Sequence, residues 1–439
     1  MSRLSMPQLL TRSSVLMAAR LVGGALAFVV NIVIARQFGA DTLGLFALTM
    51  ALVSLLALVL PFGYQAVGVM FVSQYVERGR ADLIRGFVRR GYRNIAIAGA
   101  IVGLGLFGIL SVISDPALRH YALSAIYVLA MAPALALLNL NGSVLTAHRR
   151  QYGALLPDLL LKPALMLAGI AFLAMAVWQV SVDMLLATAA AALWASALWQ
   201  AVLIRRAGLI PRGTEAAHEP ATWRKAALPW MAISLLADYF IELNLLLAGF
   251  LAAPAEVAVL HICFRLRVLA AFGLRALYAL VLPDIFASHE RGDHAEFRQN
   301  ILRANTLALI YALAVCAVVA AFGAEILAVV GDGFKAGHMA LLIVCLPMVT
   351  RAVFGPTTAI MAIKGHHSSA LWILCAGLVM AVGTGIALFP SLGVDGIAIG
   401  FALSYSLIAM GQWLWIKRRT GIDCSLFAAF RASPEPVAI

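Results

Sequence analysis

Runs of about 20 apolar residues, bounded by short polar turns, recur along the whole chain, and each is long enough to cross a hydrocarbon core of about 30 Å as a helix. They lie near 13–36, 42–66, 92–113, 120–147, 154–177 and 183–204, and again near 226–250, 256–286, 300–322, 338–363, 369–389 and 395–416. The pattern predicts an all-α polytopic membrane protein, with twelve transmembrane helices in two six-helix lobes around a central cavity. Between the sixth and seventh runs the pattern lapses over 205–225, where Pro211, Gly213, Glu215, His218, Glu219 and Pro220 cluster. We therefore expect an N-terminal lobe over 1–208, a linker over 209–224 and a C-terminal lobe with a short tail over 225–439. The first run follows Arg3 and Arg12, and its apolar part is longer than a signal-peptide core, so it reads as the first membrane helix.

Composition agrees with this pattern: 63% of the residues are hydrophobic and 12% charged, and the mean hydropathy is +0.96. The formal charge of +12 would suggest nucleic acid in a water-soluble chain, but here it is sorted by loop. One set of connections carries Arg78 to Arg93, Arg149-Arg150, Arg205-Arg206 through Lys225, Arg291 to Arg303, Lys364 and Lys417 to Arg419; the alternate set holds only Arg36, Arg119 and Lys335. By the positive-inside rule both termini are cytoplasmic. The basic stretch 78–93 then reads as a topological and anionic-lipid signal, not a nucleic-acid site.

The two halves repeat. The segment from Tyr75 to Arg85, with its Glu77-Arg78-Gly79 turn, resembles the segment from Ser288 to Arg298, with Glu290-Arg291-Gly292, and the turn 38–44 falls opposite 252–258 at nearly the same shift. Both copies begin on the same side, so the repeat axis runs along the membrane normal, as in transporters that bind substrate between two halves.

The eighth run carries Arg265, Arg267 and Arg275 amid apolar residues. An arginine at mid-membrane costs about 2.5 to 3.5 kcal/mol on insertion scales, so arginines kept there face a watery cavity or an anion, unless they snorkel or pair with acids. At helical spacing the three fan across one half of the helix and can line one concave wall. Arg351 in the tenth run shares a face with Gly355 and Thr358, and Pro347 and Pro356 can break that helix. Arg20, Gly24, Ala27 and Asn31 form a small or polar stripe on the first. Arg20, Asn31, Arg265, Arg267, Arg275 and Arg351 are the candidate substrate-binding residues.

Acids are scarcer. Asp238 and Glu242, four apart in the seventh run, either neutralise those arginines or bind a coupling proton or sodium ion. Asp158 and Lys162 read as an intrahelical ion pair. The five cysteines show no CxxC spacing and His366-His367 no metal-like spacing, so we expect neither disulfide nor metal site. With no Walker motif, HExxH or GxSxG, ATP hydrolysis and metal chemistry lack support; we expect no catalytic residue and no cofactor.

The opening, Ala19-Arg20 through Asn31 to Arg36, then Phe38-Gly-Ala-Asp41 and Gly44 to Thr49, resembles the first helix pair of the Wzx-type oligosaccharide flippases of the MOP superfamily. Leu145 to Gly153, followed by Leu156-Pro-Asp158 and Lys162-Pro163, is similar to that family's basic turn and its Pro-Asp element. The chain lacks the two extra C-terminal spans of the lipid II flippase branch. The resemblance implies a flippase of the bacterial inner membrane. It would carry a polyprenyl-pyrophosphate-linked oligosaccharide by alternating access, for lipopolysaccharide or other cell-surface polysaccharide biosynthesis. It would work as a monomer among membrane lipids, with a polysaccharide polymerase and other assembly proteins as partners and without nucleic acid. A cationic site suits such a pyrophosphate, because arginine forks match phosphate oxygens. The alternatives are a multidrug or cation exporter, expected to have acids dominating its cavity, and a membrane polysaccharide polymerase, expected to need a sizeable outer loop.

Overall fold

The computed structural model describes residues 6–112, 116–176, 180–211, 215–363 and 367–430; Arg3, Arg212, Lys364 and His366 lie outside them. Every regular element among the described residues is helical: α1 Met6–Val59, α2 Tyr64–Glu77, α3 Ala81–Val112, α4 Pro116–Ala147, α5 Gln151–Leu156, α6 Lys162–Ala176, α7 Val182–Arg206, α8 Pro220–Ala237, α9 Phe240–Leu251, α10 Pro254–Glu290, α11 His294–Ala328, α12 His338–Cys345, α13 Pro347–Phe354, α14 Thr357–Ile363, α15 His367–Leu392 and α16 Val394–Thr420, with short π and 3₁₀ turns between some of them. Ten spans among the described residues are long and apolar enough to cross a membrane, two of them (Gln151–Ala176 and Asp332–Phe354) running through a π or 3₁₀ turn, and the bent pair α8–α9 makes an eleventh. The first of the ten, Val15–Val59, holds 45 residues and contains Gly39 in a non-helical conformation (φ 87°, ψ 167°). At about 1.5 Å per residue it is long enough for two crossings that meet at Gly39, which reconciles the structure with the twelve runs of the sequence. This is a multi-pass membrane protein.

The chain forms two compact units, Met1–Glu242 and Leu243–Ile439. The sequence places the boundary in 209–224, whereas by packing the first unit continues through α8. The reason is Trp223. Its indole is fully buried, donates from Nε1 to the Tyr75 hydroxyl at 2.8 Å, and meets Phe87 edge-on with centroids 5.5 Å apart. The connection before it is also fastened to α3: the Ala217 amide donates to the Asp82 carbonyl, and a Cβ at Gly86 would lie 1.8 Å from the Ala217 oxygen.

In the first unit α4 is central, with Met131, Ala132, Ala134, Ala136, Leu138 and Leu140 almost fully buried. The buried alanines let neighbouring backbones approach, the usual basis of helix association in lipid. In the second unit α15 and α16 pack most closely. A Cβ at Gly400 would stand 2.7 Å from the Ala381 carbonyl oxygen, and one at Gly396 2.7 Å from the Leu388 carbonyl carbon. Gly396, Gly400 and Ser404 thus form a small-xxx-small stripe.

The Glu-Arg-Gly turns take one conformation in both halves, with φ 66° at Gly79 and 69° at Gly292, the left-handed region that glycine enters without penalty. The third run begins earlier than the sequence suggests. Arg85, Arg89 and Arg90 ride on the first turns of α3, not in a loop.

Candidate functional site

In the second unit, α10 carries Arg265, Arg267 and Arg275, and α13 carries Arg351. Arg267 is 8% exposed. Its guanidinium lies 4.8 Å from the Phe401 ring centroid and 4.5 Å from that of Tyr405, two rings of α16 that pack on each other at 4.7 Å. Desolvated cation–π contacts of this kind contribute about 2 kcal/mol or more, yet the Arg267 Nε is buried without a hydrogen-bond partner.

Arg351 ends α13, where the negative end of the helix dipole favours a cation. Its side chain is exposed. Arg267, Arg275, Tyr278 and Tyr405 are all within electrostatic range of it. Arg275 is exposed, 6.0 Å from the Phe272 ring. Arg265 is half-buried, one turn from the buried His261 and within its electrostatic range. Among the described residues of this unit, no carboxylate lies within 4 Å of these four arginines. The structure therefore brings Arg267, Arg275, Tyr278 and Tyr405 within electrostatic range of Arg351, with Arg265 further along α10. Like charges so placed repel one another in a medium that screens poorly, and an anion with several oxygens relieves both the repulsion and the open donors.

Tyr278 extends this group. Its hydroxyl donates to Asn305 Oδ1 at 3.2 Å, and Asn305 Nδ2 donates to the Cys424 carbonyl at 2.8 Å. The Cys424 oxygen in turn sits against Gly355, where φ is +80° and a Cβ would stand 2.4 Å from it. The tenth run is thus broken at Gly355-Pro356, four residues beyond Arg351, in keeping with its prolines. The contacts of Arg267 with Phe401 and Tyr405 escaped the sequence reading. Those rings are four apart on α16 and mark a common face, but nothing local shows that the face meets α10.

The first unit holds the acids. The seventh run is not the single helix expected: α8 ends at Ala237, α9 begins at Phe240, and the two are bent by 61°. Both the Asp238 and Tyr239 amides turn back to the Ser234 carbonyl, so Asp238 and Glu242 do not share the one helical face expected. Asp238 is exposed and Glu242 half-buried. Both lie within electrostatic range of the Tyr239 phenol, and so does Asp158.

Asp158 is in a π-turn, Pro157–Leu161, closed by the Lys162 amide on the Pro157 carbonyl. Pro163 has no N–H to give the Leu159 carbonyl. Against that carbonyl packs Gly23 of α1, where a Cβ would be 2.6 Å from the oxygen. Lys162 pairs with Asp158, the ion pair read from the spacing, but in a setting the spacing did not suggest. The three carboxylates surround the phenol without converging closely enough to hold a metal ion, and among the described residues no such group is found.

Two candidates fall outside both groups. Arg20 is exposed on α1. Asn31 is buried and donates to the Ala27 carbonyl at 2.8 Å, so at least one of its amide protons is spent within its own helix.

No protein-family model matches the sequence and no curated protein matches it, but solved structures do match in fold. An inward-facing multidrug resistance MATE family transporter of the MOP superfamily superimposes with a TM-score of 0.73 at 15% identity, over 92% of this chain and 98% of that one. The lipid II flippase MurJ in an inward closed conformation also gives 0.73, at 14% identity, over 92% and 87%. A MOP superfamily transporter from Pyrococcus furiosus, described as having a binding pocket of reverse polarity, gives 0.63 at 15% identity, over 92% and 94%. The chain shares the fold of these MOP superfamily transporters and of that flippase.

Proposed function

We propose that the chain is a flippase that moves a polyprenyl-pyrophosphate-linked oligosaccharide from the cytoplasmic to the outer leaflet of a bacterial inner membrane by alternating access, for cell-surface polysaccharide biosynthesis. The observation that carries this reading is the group Arg267, Arg275 and Arg351, with no carboxylate among the described residues of their unit within 4 Å. A pyrophosphate supplies the oxygens such a group lacks, and a low-dielectric setting strengthens each contact. Arg265 is assigned to the same wall, Arg20 and Asn31 to the path of the sugar. The acids near Tyr239 are assigned to ion coupling: Asp238 and Glu242, joined by Asp158. The charge asymmetry of the loops supports cytoplasmic termini.

A cation exporter is the competing reading, favoured by the acids of the first unit. The two separate on ligand charge. Purified protein titrated with a polyprenyl-pyrophosphate-linked oligosaccharide should bind it tightly enough to displace a bound fluorescent pyrophosphate probe, while a lipophilic cationic dye should not. Displacement by the dye alone overturns the flippase reading.

A further inference from the structure

A second site is built into the outside of the first unit. Beside the turn that joins α4 to α5 is a trough of about 760 Å³, floored by Leu156, Pro157, Leu160 and Leu161, with Tyr152 and Trp199 on its sides and Arg149 and Arg150 at the turn itself. Its deepest lining residue along α6, Ala164, lies about 20 Å along the helical path from Arg150 at about 1.5 Å per residue. That is enough for one leaflet of a core about 30 Å thick. Tyr152 and Trp199 are exposed, as aromatic residues at a membrane interface are. Both arginines are exposed, and among the described residues neither is in an ion pair.

The backbone of this turn is the independent observation. The Arg149 amide donates to the Thr146 carbonyl and the Arg150 amide to the Leu145 carbonyl, a Schellman close in which the residue past the helix end adopts left-handed φ and is usually glycine. The same pair of bonds closes α2 at Gly79 and α7 at Gly208, with φ of 66° and 63°. Only at the trough does an arginine stand in that position, with φ of 59°. A side chain there costs roughly 1 kcal/mol relative to glycine, and strain of this kind is retained where a function needs the side chain.

We propose that this trough holds an anionic phospholipid, its phosphate on Arg149 and Arg150 and an acyl chain along Leu156, Leu160 and Ala164. The charge pair selects the headgroup, and the apolar floor needs a chain. Because Pro157, Leu160 and Leu161 belong both to the trough floor and to the π-turn that carries Asp158, the lipid would pack directly on the segment that presents one of the Tyr239 acids. The proposal does not depend on which substrate the protein carries.

Native mass spectrometry of the detergent-purified chain, titrated with phosphatidylglycerol or phosphatidylcholine, tests it. Phosphatidylglycerol should bind more tightly. Arg149→Gly should weaken it about fivefold, the contribution of one basic residue near a lipid surface, while raising the thermal midpoint of the lipid-free protein by relaxing the turn. Ala164→Phe, which fills the trough at an exposed position, should weaken both lipids. Equal binding of the two lipids, or unchanged phosphatidylglycerol affinity in Arg149→Gly, overturns the proposal. Displacement of phosphatidylglycerol by inorganic phosphate at equal concentration would leave only an anion site, and preferential displacement by a polyprenyl phosphate would give the trough to a substrate tail; either result also overturns it.

Discussion

The breaks at Asp238-Tyr239 and at Gly355-Pro356 interrupt membrane helices in the two units, and they differ in cause, charge and anchoring. At Gly355 the backbone enters a region only glycine occupies at low cost, a proline follows, and the Cys424 oxygen fills the space a Cβ would need. At Asp238 there is neither glycine nor proline. The helix stops where two successive amides fold back on the Ser234 carbonyl. One break lies beside arginines and is held by Asn305 and the C-terminal segment. The other lies beside carboxylates and is flanked by the π-turn at Pro157. Helix breaks at membrane depth free polar groups that must be satisfied by protein or by water in a cavity. The proposed division of work, an anionic headgroup in the second unit and a cation in the first, rests on this opposite charge at the two breaks.

The largest effect that can break this comparison is steric. Gly355→Val forces a β-branched residue into left-handed φ and drives its Cβ into the Cys424 carbonyl. The combined strain and overpacking should cost about 2 to 5 kcal/mol. Thermal unfolding of the purified protein should show a midpoint lowered by many degrees, and Gly355→Ala should show a smaller loss. If Gly355→Val unfolds as the wild type does, the C-terminal segment does not clamp the break.

Next comes charge. On the proposed function, Arg351→Ala removes a donor to the substrate phosphate, worth about 1.5 to 3 kcal/mol for a charged hydrogen bond, so surface glycan should fall tenfold or more while lipid-linked precursor accumulates inside. Arg351→Lys should recover part of it, since a point charge replaces a fork. Arg89→Ala, exposed on α3, is the matched control. Normal export by Arg351→Ala at wild-type protein levels would make the second unit's arginines structural.

Asp238→Asn probes the other break. Export should drop severalfold, and its dependence on the ion gradient should flatten, while binding of a pyrophosphate probe stays within about twofold. Lost probe binding instead would tie this acid to the substrate and remove the division between the units.

The two breaks also mark how far residues alone reveal this molecule. Helix number, the matching Glu-Arg-Gly turns and the break at Gly355 were legible because each depends on local chemistry: run length, turn residues, and the missing proline N–H. The arginines of α10 were legible because charge in an apolar run is costly wherever it occurs. The bend at Asp238 was not, since no residue there is a helix breaker and the turn forms from backbone bonds. Nor was the place of Asp158. A spacing of four shows that Lys162 can reach it, but only the packing of Gly23 against the Leu159 carbonyl and the bend of α8 bring it near Tyr239. Likewise Gly396, Gly400 and Ser404 are small residues in a sequence full of them, and their role appears only when α15 is in place.

The smallest expected effect concerns the anchor of the C-terminal segment. Asp423 lies past the end of α16, 2.8 Å from Lys417 Nζ, and accepts from Trp413 Nε1 at 2.9 Å and Ser425 Oγ at 2.7 Å. Burial alone would raise its pKa, but the hydrogen bonds from Lys417, Trp413 and Ser425 outweigh that and lower it from 3.8 to about 2. A carboxylate whose folded pKa is depressed stabilises the fold above its unfolded value and loses that contribution as pH falls through the folded one. The stabilisation should therefore be complete above about pH 5, decline as the pH falls through 4 toward 2, and vanish only below about pH 2. Because the pair is partly open to water, its size should be at most about 1 kcal/mol. The difference in thermal midpoint between wild type and Asp423→Asn should then be a few degrees and constant from pH 5 to 8, shrinking toward zero in acid. A difference that instead grew as the pH fell would mean that Asp423 is held protonated in the folded protein, and Lys417 would have to anchor the segment without it.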